Sequence, residues 1–250
     1  MYRRALAQAP PRGATAAASA AAAPPPPPPG KVLVEIFVMS MCSDAVHCER
    51  VLGGVLEKLH PVAHLQPEYI MKKDGGYFEC LHGFQECIGN SLQLCVRKHV
   101  PAEKNFDWLV NFLLRLYDGS CPYYPYRRVG VECALDKAGV SGAARAAIGA
   151  CLNSSTEAKP LMKSTAAAVA ARGVTKSCTV MIDGRPRCVR DGGLWYNCPD
   201  GYAPEDFARS ICEAHLAKTG AAAPACAGVL APAAGAGAGG RGGGAAPRGI

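Results

Sequence analysis

Twelve cysteines fall between Cys42 and Cys212 of this 250-residue chain, and a thirteenth, Cys226, follows near its end. An even dozen scattered over the length of one domain suggests disulfides, an oxidising compartment, and a fold stapled at several points. The Asn153-Ser154-Ser155 sequon agrees, since such a triplet accepts an N-linked glycan in a secreted chain. The N-terminus is less plain. "MYRRALAQAPPRGATAAASAAAA" has the basic start of a secretory signal, but its apolar run is nearly all alanine and proline interrupts it. It reads as a weak signal, an organelle-targeting segment or an incomplete gene model. No run elsewhere is long enough to span a bilayer.

The two ends carry few large apolar side chains. Residues 1–30, closing on "AAAPPPPPPG", and residues 220–250, rich in Ala and Gly, cannot offset the entropy of ordering them and are expected to be disordered. That leaves residues 31–219 as one globular domain. The net charge of +7 comes largely from the ends: Arg3, Arg4, Arg12, Arg241 and Arg248 lie there, and without them the domain carries +2. No basic stripe marks a nucleic-acid partner, and "YRR" at 126–128 reads as a solvated loop.

Within the domain, "KVLVEIFVMS" (31–40) reads as a buried strand. Val51, Leu52, Val55, Leu56 and Leu59 then recur at helical spacing, with Ser43 or Asp44 as the cap and Pro61 as the stop. "VAHLQPEYI" (62–70) reads as a second strand, irregular or at an edge because of Pro67. Residues 80–117 read as helical in two pieces broken near Pro101, the second being the amphipathic "FDWLVNFLLRLY". Residues 129–152 and 156–172 read as further helices. "SCTVMIDGRPRCV" (177–189) is a strand pair about an Asp-Gly turn, and residues 204–218 form a closing helix. Strand, helix, strand, helical insert, hairpin and helix make an α/β fold: a thioredoxin-like domain with a helical, disulfide-stapled insertion.

Cys42 and Cys48 stand where the first strand gives way to the first helix. A cysteine just before a helix is well placed as a nucleophile, because the helix N-terminus favours the thiolate. On a continuous helix, however, residues six apart lie about 9 Å apart along the axis. A disulfide needs Cα atoms within about 7 Å, so these two can pair only if Ser43 to Ala45 loop back. Asp44 would oppose the thiolate, and a protonated His47 would favour it.

The stretch "CLHGFQECIGNSLQLC" (80–95) resembles the signature of the gamma-interferon-inducible lysosomal thiol reductase family: Cys-Gln-His-Gly, two residues, Glu-Cys, two residues, Asn, four residues, Cys. Cys80, His82, Gly83, Glu86, Cys87, Asn90 and Cys95 match in identity and spacing, and Leu81 stands where the pattern has Gln. The resemblance covers about residues 32–216. It implies a thioredoxin-like fold, reduction of protein disulfides, and a lysosomal, vacuolar or secreted location. The family's redox pair is a Cys-x-x-Cys after the first strand; here that place holds Cys42 and Cys48 in Cys-x5-Cys. A thioredoxin-like fold usually has a cis-proline before its third strand, and alignment by "TVMIDG" puts Cys178 there. Cys178 could then face the redox pair, as an alternative disulfide partner or a soft-metal ligand, or be a staple elsewhere.

Several readings stay open. Cys42 would attack a disulfide in a protein substrate and Cys48 would release it, with electrons from a small thiol or partner dithiol and no bound cofactor. The rival is a secreted, disulfide-rich binding or structural protein on the same fold without redox activity. A third is a soft-metal binder using Cys42, Cys48 and Cys178. Cys80, Cys87 and Cys95 read as disulfide anchors of the insertion. If they share one helix, no two of them can bond each other, and their partners would be Cys121, Cys133 or Cys151. His82 reads as a hydrogen-bonding residue near the turn at Gly83. Cys80, His82 and Cys87 match no standard zinc spacing. Cys188 and Cys198 read as a local staple, covered by Trp195 and Tyr196. "CPYYPYRR" (121–128) reads as a loop, or the lining of a peptide groove, and no nucleophile elbow supports hydrolysis.

Overall fold

A computed structural model describes residues 26–99, 121 and 128–230. The Val- and Ile-rich run forms strand β1 (Val32–Val38), buried on both faces, as a central strand must be. It pairs in parallel with β2 (Ala63–Tyr69), Val32 opposite Ala63 and Val38 opposite Tyr69. On its other side it runs antiparallel to β5 (Thr179–Ile182), with Val34 opposite Ile182. Strands β6 (Arg185–Asp191) and β7 (Leu194–Tyr196) complete a sheet of order β2-β1-β5-β6-β7. Pro67 therefore lies in an edge strand, where its missing N–H breaks no ladder. Asp183 and Gly184 both have positive φ, 49° and 77°, as a two-residue primed hairpin requires.

Helix α1 (Ser43–Leu59) and the closing helix α6 (Pro204–Thr219) cover one face. Leu52, Leu56, Phe207 and Ile211 share a core with Val34, Ile36 and Val38. On the other face Phe37 and Met181 pack with Val169 of α5 (Ala158–Arg172). This βαβ unit joined to a ββα unit, with β1 central, is the thioredoxin-like arrangement. The insertion between β2 and β5 comprises a small hairpin, β3 (Lys72–Asp74) and β4 (Tyr77–Glu79), then α2 (Phe84–His99), α3 (Arg128–Lys137), α4 (Gly142–Asn153) and α5. The helix expected over 129–152 is two helices, because Gly139 turns left-handed (φ 73°) after α3. The amphipathic run 106–117 and the loop 122–127 lie outside the described residues, as do 1–25 and 231–250.

Six disulfides staple the described residues: Cys48–Cys178, Cys80–Cys87, Cys95–Cys151, Cys121–Cys133, Cys188–Cys198 and Cys212–Cys226. The Cys188–Cys198 staple spans β6 and β7 as its spacing suggests. Two expectations need correction. Cys80 and Cys87 do bond each other, because α2 begins only at Phe84 and Gly83 (φ 87°) turns the chain ahead of it. The segment after Thr219 is no loose tail as far as Leu230: Cys226 is buried and bonded to Cys212, which offsets the entropy of ordering a run of small residues. No helix among the described residues is long and apolar enough to cross a membrane.

Candidate active site around Cys42

β1 delivers the chain through Met39, Ser40 and Met41 to Cys42, the N-cap of α1. Cys42 is extended (φ −81°, ψ 128°), and its carbonyl accepts the first helical bond, from Val46 N–H at 3.2 Å. Its side chain is half-buried and is the one free thiol among the described cysteines. The thiol stands 3.8 Å from the carbonyl oxygen of Ser177, to which it can donate. The unpaired N–H groups and dipole of the α1 N-terminus favour negative charge at this position.

Because helical geometry starts directly after Cys42, Cys48 lies about 9 Å further along the axis and beyond disulfide reach. The Cys42–Cys48 bond is not formed. Cys48 is instead bonded to Cys178, with Cα atoms 6.3 Å apart. Cys178 precedes β5, and the Ser177–Cys178 peptide is cis, at the place where the fold usually carries a cis-proline. Both bonded cysteines are fully buried. Cys178 is thus the partner of Cys48, and the residue before it touches the Cys42 thiol. This pairing leaves no soft-metal triad of free thiolates.

The signature residues build the support for this loop. The Glu86 carboxylate accepts the N–H of Met41 at 3.3 Å, and its main-chain carbonyl accepts the Ser40 hydroxyl at 3.0 Å. Asn90, one turn on, accepts the N–H of Ser40 through Oδ1 at 3.1 Å. Its amide Nδ2 faces the sulfur of Cys80 at 3.8 Å. His82 caps the arrangement, donating its backbone N–H to Glu86 Oε1 at 3.3 Å and meeting the same carboxylate through Nδ1. The Cys80–Cys87 bond ties the turn to the first turn of α2. That bond consumes both sulfurs, which removes any zinc site built with His82. Cys95 lies a further turn on and joins α2 to α4 through Cys151. Sequence reasoning treated this stretch as an anchor of the insertion and missed its grip on Ser40 and Met41. The available signal was Glu86 and Asn90 at i, i+4, two polar residues on one helix face.

Electrostatics around the loop differ from expectation. Asp44 is buried and engaged: it accepts the N–H of Gly193 at 3.1 Å and pairs with Arg190 Nε at 3.1 Å. His47, at the edge of Trp195, is held below the usual imidazole value, first by desolvation and then by Arg190 and Arg50. It therefore gains its charge only at lower pH than a free histidine. Glu49, beside Cys48 in sequence, is buried with no hydrogen-bond partner on either carboxylate oxygen. Desolvation pushes it up to about 8. Elsewhere His99, Cys151 and Glu157 converge, but the sulfur of Cys151 is spent on Cys95. Asn153 is exposed at the end of α4.

Comparison with solved structures returns disulfide oxidoreductases at low identity. The oxidoreductase DsbA from Xylella fastidiosa is 13% identical, over 76% of this chain and 87% of that one, at a TM-score of 0.45. The reduced disulfide bond oxidoreductase DsbG from Mycobacterium tuberculosis is 16% identical, over 82% and 88%, at 0.47. No curated protein matches the chain. Residues 33–113 match the family model described as Gamma interferon inducible lysosomal thiol reductase (GILT). That stretch holds the strand, the cysteine loop and the signature helix, and the chemistry of the matching family is thiol–disulfide oxidoreduction.

Proposed function

We propose that Cys42 is the nucleophile of this oxidoreductase and that Cys48 and Cys178 complete its redox centre. One observation carries the reading. The free, half-exposed thiol of Cys42 caps a helix N-terminus beside the segment that holds a buried disulfide. Its thiolate attacks a sulfur of a protein disulfide, forming a mixed disulfide and expelling the substrate's other thiolate. Release requires a second thiol, from Cys48 or Cys178 in the reduced protein or from a small external thiol. An apolar groove of about 430 Å3, lined by Met39, Met71, Leu81 and Val174 among others, opens beside this loop and offers surface to a polypeptide.

The dense disulfide framework suits a secretory or lysosomal setting, and we place the protein in a lysosome or vacuole, or outside the cell, with Asn153 glycosylated. The test is reduction of a protein disulfide by the full chain and by Cys42→Ser. The expected outcome is loss of turnover in the variant, with unchanged unfolding. Retained turnover sinks the mechanism. One observation favours a second reading, a redox-silent binding protein: Cys48–Cys178 is fully buried. Under that reading the bond resists mild reductant and has a potential below about −300 mV, whereas exchange catalysts fall between about −120 and −270 mV.

A further inference from the structure

The buried disulfide and the exposed thiol pose a problem of access. Cys48 and Cys178 have no solvent-accessible surface, so an external thiol cannot approach either sulfur in the folded chain. Cys42 is half-exposed, and its sulfur sits 3.8 Å from the Ser177 carbonyl, one residue from Cys178. Cys48 is placed differently: the intervening helix holds it about 9 Å along the axis from Cys42.

Resting on the proposed role of Cys42, we infer that the three cysteines form a relay in which Cys178 is the exchange partner of Cys42 and Cys48 is the store. In the reductive half, the Cys42 thiolate attacks the sulfur of Cys178. A Cys42–Cys178 bond forms, the Cys48–Cys178 bond breaks, and Cys48 leaves as a thiolate that takes up a proton. No electrons are gained or lost in that step. A small monothiol then attacks the half-exposed Cys42 sulfur, and a second monothiol removes the first as its symmetric disulfide. The centre is left with three thiols. In the forward half Cys42 opens the substrate disulfide and Cys178 resolves the mixed disulfide, releasing the substrate as a dithiol. Cys48 then attacks Cys178 and expels Cys42. The oxidised state is therefore the one in the structure: the disulfide parked inside, the nucleophile free again.

The relay assigns every exchange with the outside to Cys42, and this is testable without any cysteine variant. The native chain is treated with iodoacetamide to cap Cys42, then exposed to glutathione. Reduction of Cys48–Cys178 is followed by differential alkylation and mass spectrometry. Capping is expected to slow that reduction at least about tenfold. Equal rates with and without the cap overturn the relay. In a second arm, Cys48→Ser is reduced and mixed with a protein disulfide. A Cys42–Cys178 bond is expected to accumulate; a lasting Cys42–substrate adduct with Cys178 still alkylatable overturns the relay. These outcomes are separate from the nucleophile test. Turnover lost in Cys42→Ser with equal reduction rates refutes the relay alone, whereas turnover retained in Cys42→Ser refutes the reading beneath it.

Discussion

Glu49 is the residue whose surroundings sit least easily with neutral pH. Its carboxyl is buried without a partner and is pushed up to about 8 from an ordinary 4.5. Between those values the folded chain keeps the proton that the unfolded chain has lost. The stability tied to this group is therefore fully present below about pH 4.5, declines as pH rises towards 8, and then levels off. An acidic compartment suits such a residue. Glu49→Gln, which cannot ionise, is expected to stabilise the protein near neutral pH by an amount on the order of 4 kcal/mol, with little change in acid. Thermal unfolding near pH 4.5 and pH 7.5 measures this, and an equal shift at both values contradicts it. Nothing local in the sequence announced Glu49, because its burial depends on elements packed against α1. Asp44 and His47 were legible as neighbours of Cys42. Their real partner, Arg190, comes from β6, and no spacing along the chain reports that contact.

At the scale of elements, the cysteine loop is held from outside by α2. Asn90 and Glu86 accept the main-chain N–H groups of Ser40 and Met41 and so tie the turn to α2. Asn90→Ala removes the carboxamide oxygen that accepts the Ser40 N–H, a loss of about 1 kcal/mol, and loosens the loop that aims Cys42. Because a displacement of about 1 Å can cost a hundredfold in rate, kcat for disulfide reduction is expected to fall about ten- to a hundredfold. Steady-state kinetics and the alkylation rate of Cys42 test this together; a lower Tm with both rates unchanged would reduce Asn90 to a structural role. The elements themselves were mostly legible. β1, α1, β2, the Asp-Gly hairpin and the closing helix follow from periodicity and turn chemistry, and their order gave the thioredoxin-like outline. The short hairpin β3–β4 was not legible, its three-residue strands being too brief for a period to register. Neither was the start of α2 at Phe84, which decides that Cys80 can reach Cys87.

For the whole molecule, the disulfides divide by reach. Cys80–Cys87 and Cys188–Cys198 are local, whereas Cys48–Cys178 and Cys95–Cys151 join distant parts of the chain. Composition foretold a stapled domain; connectivity depends on which elements meet in space, which composition does not contain. Cys212–Cys226 shows this best. Low hydrophobicity made everything after 219 read as tail, yet Ala225 and Val229 line a groove between α1 and α6, and Cys226 is part of the core. The bond closes a loop of 14 residues and draws that segment against both helices. Removing it restores the loop's freedom to the unfolded chain, a loss of about 3 kcal/mol. The double variant Cys212→Ala, Cys226→Ala is therefore expected to lose about that much unfolding free energy, measured by denaturant titration. The alkylation rate of Cys42 is expected to stay the same, because the loop of Ser40 and Met41 is clamped by α2 and not by the C-terminal segment. A change in that rate would mean that the packing of α6 on α1 reaches the nucleophile through the helix it caps.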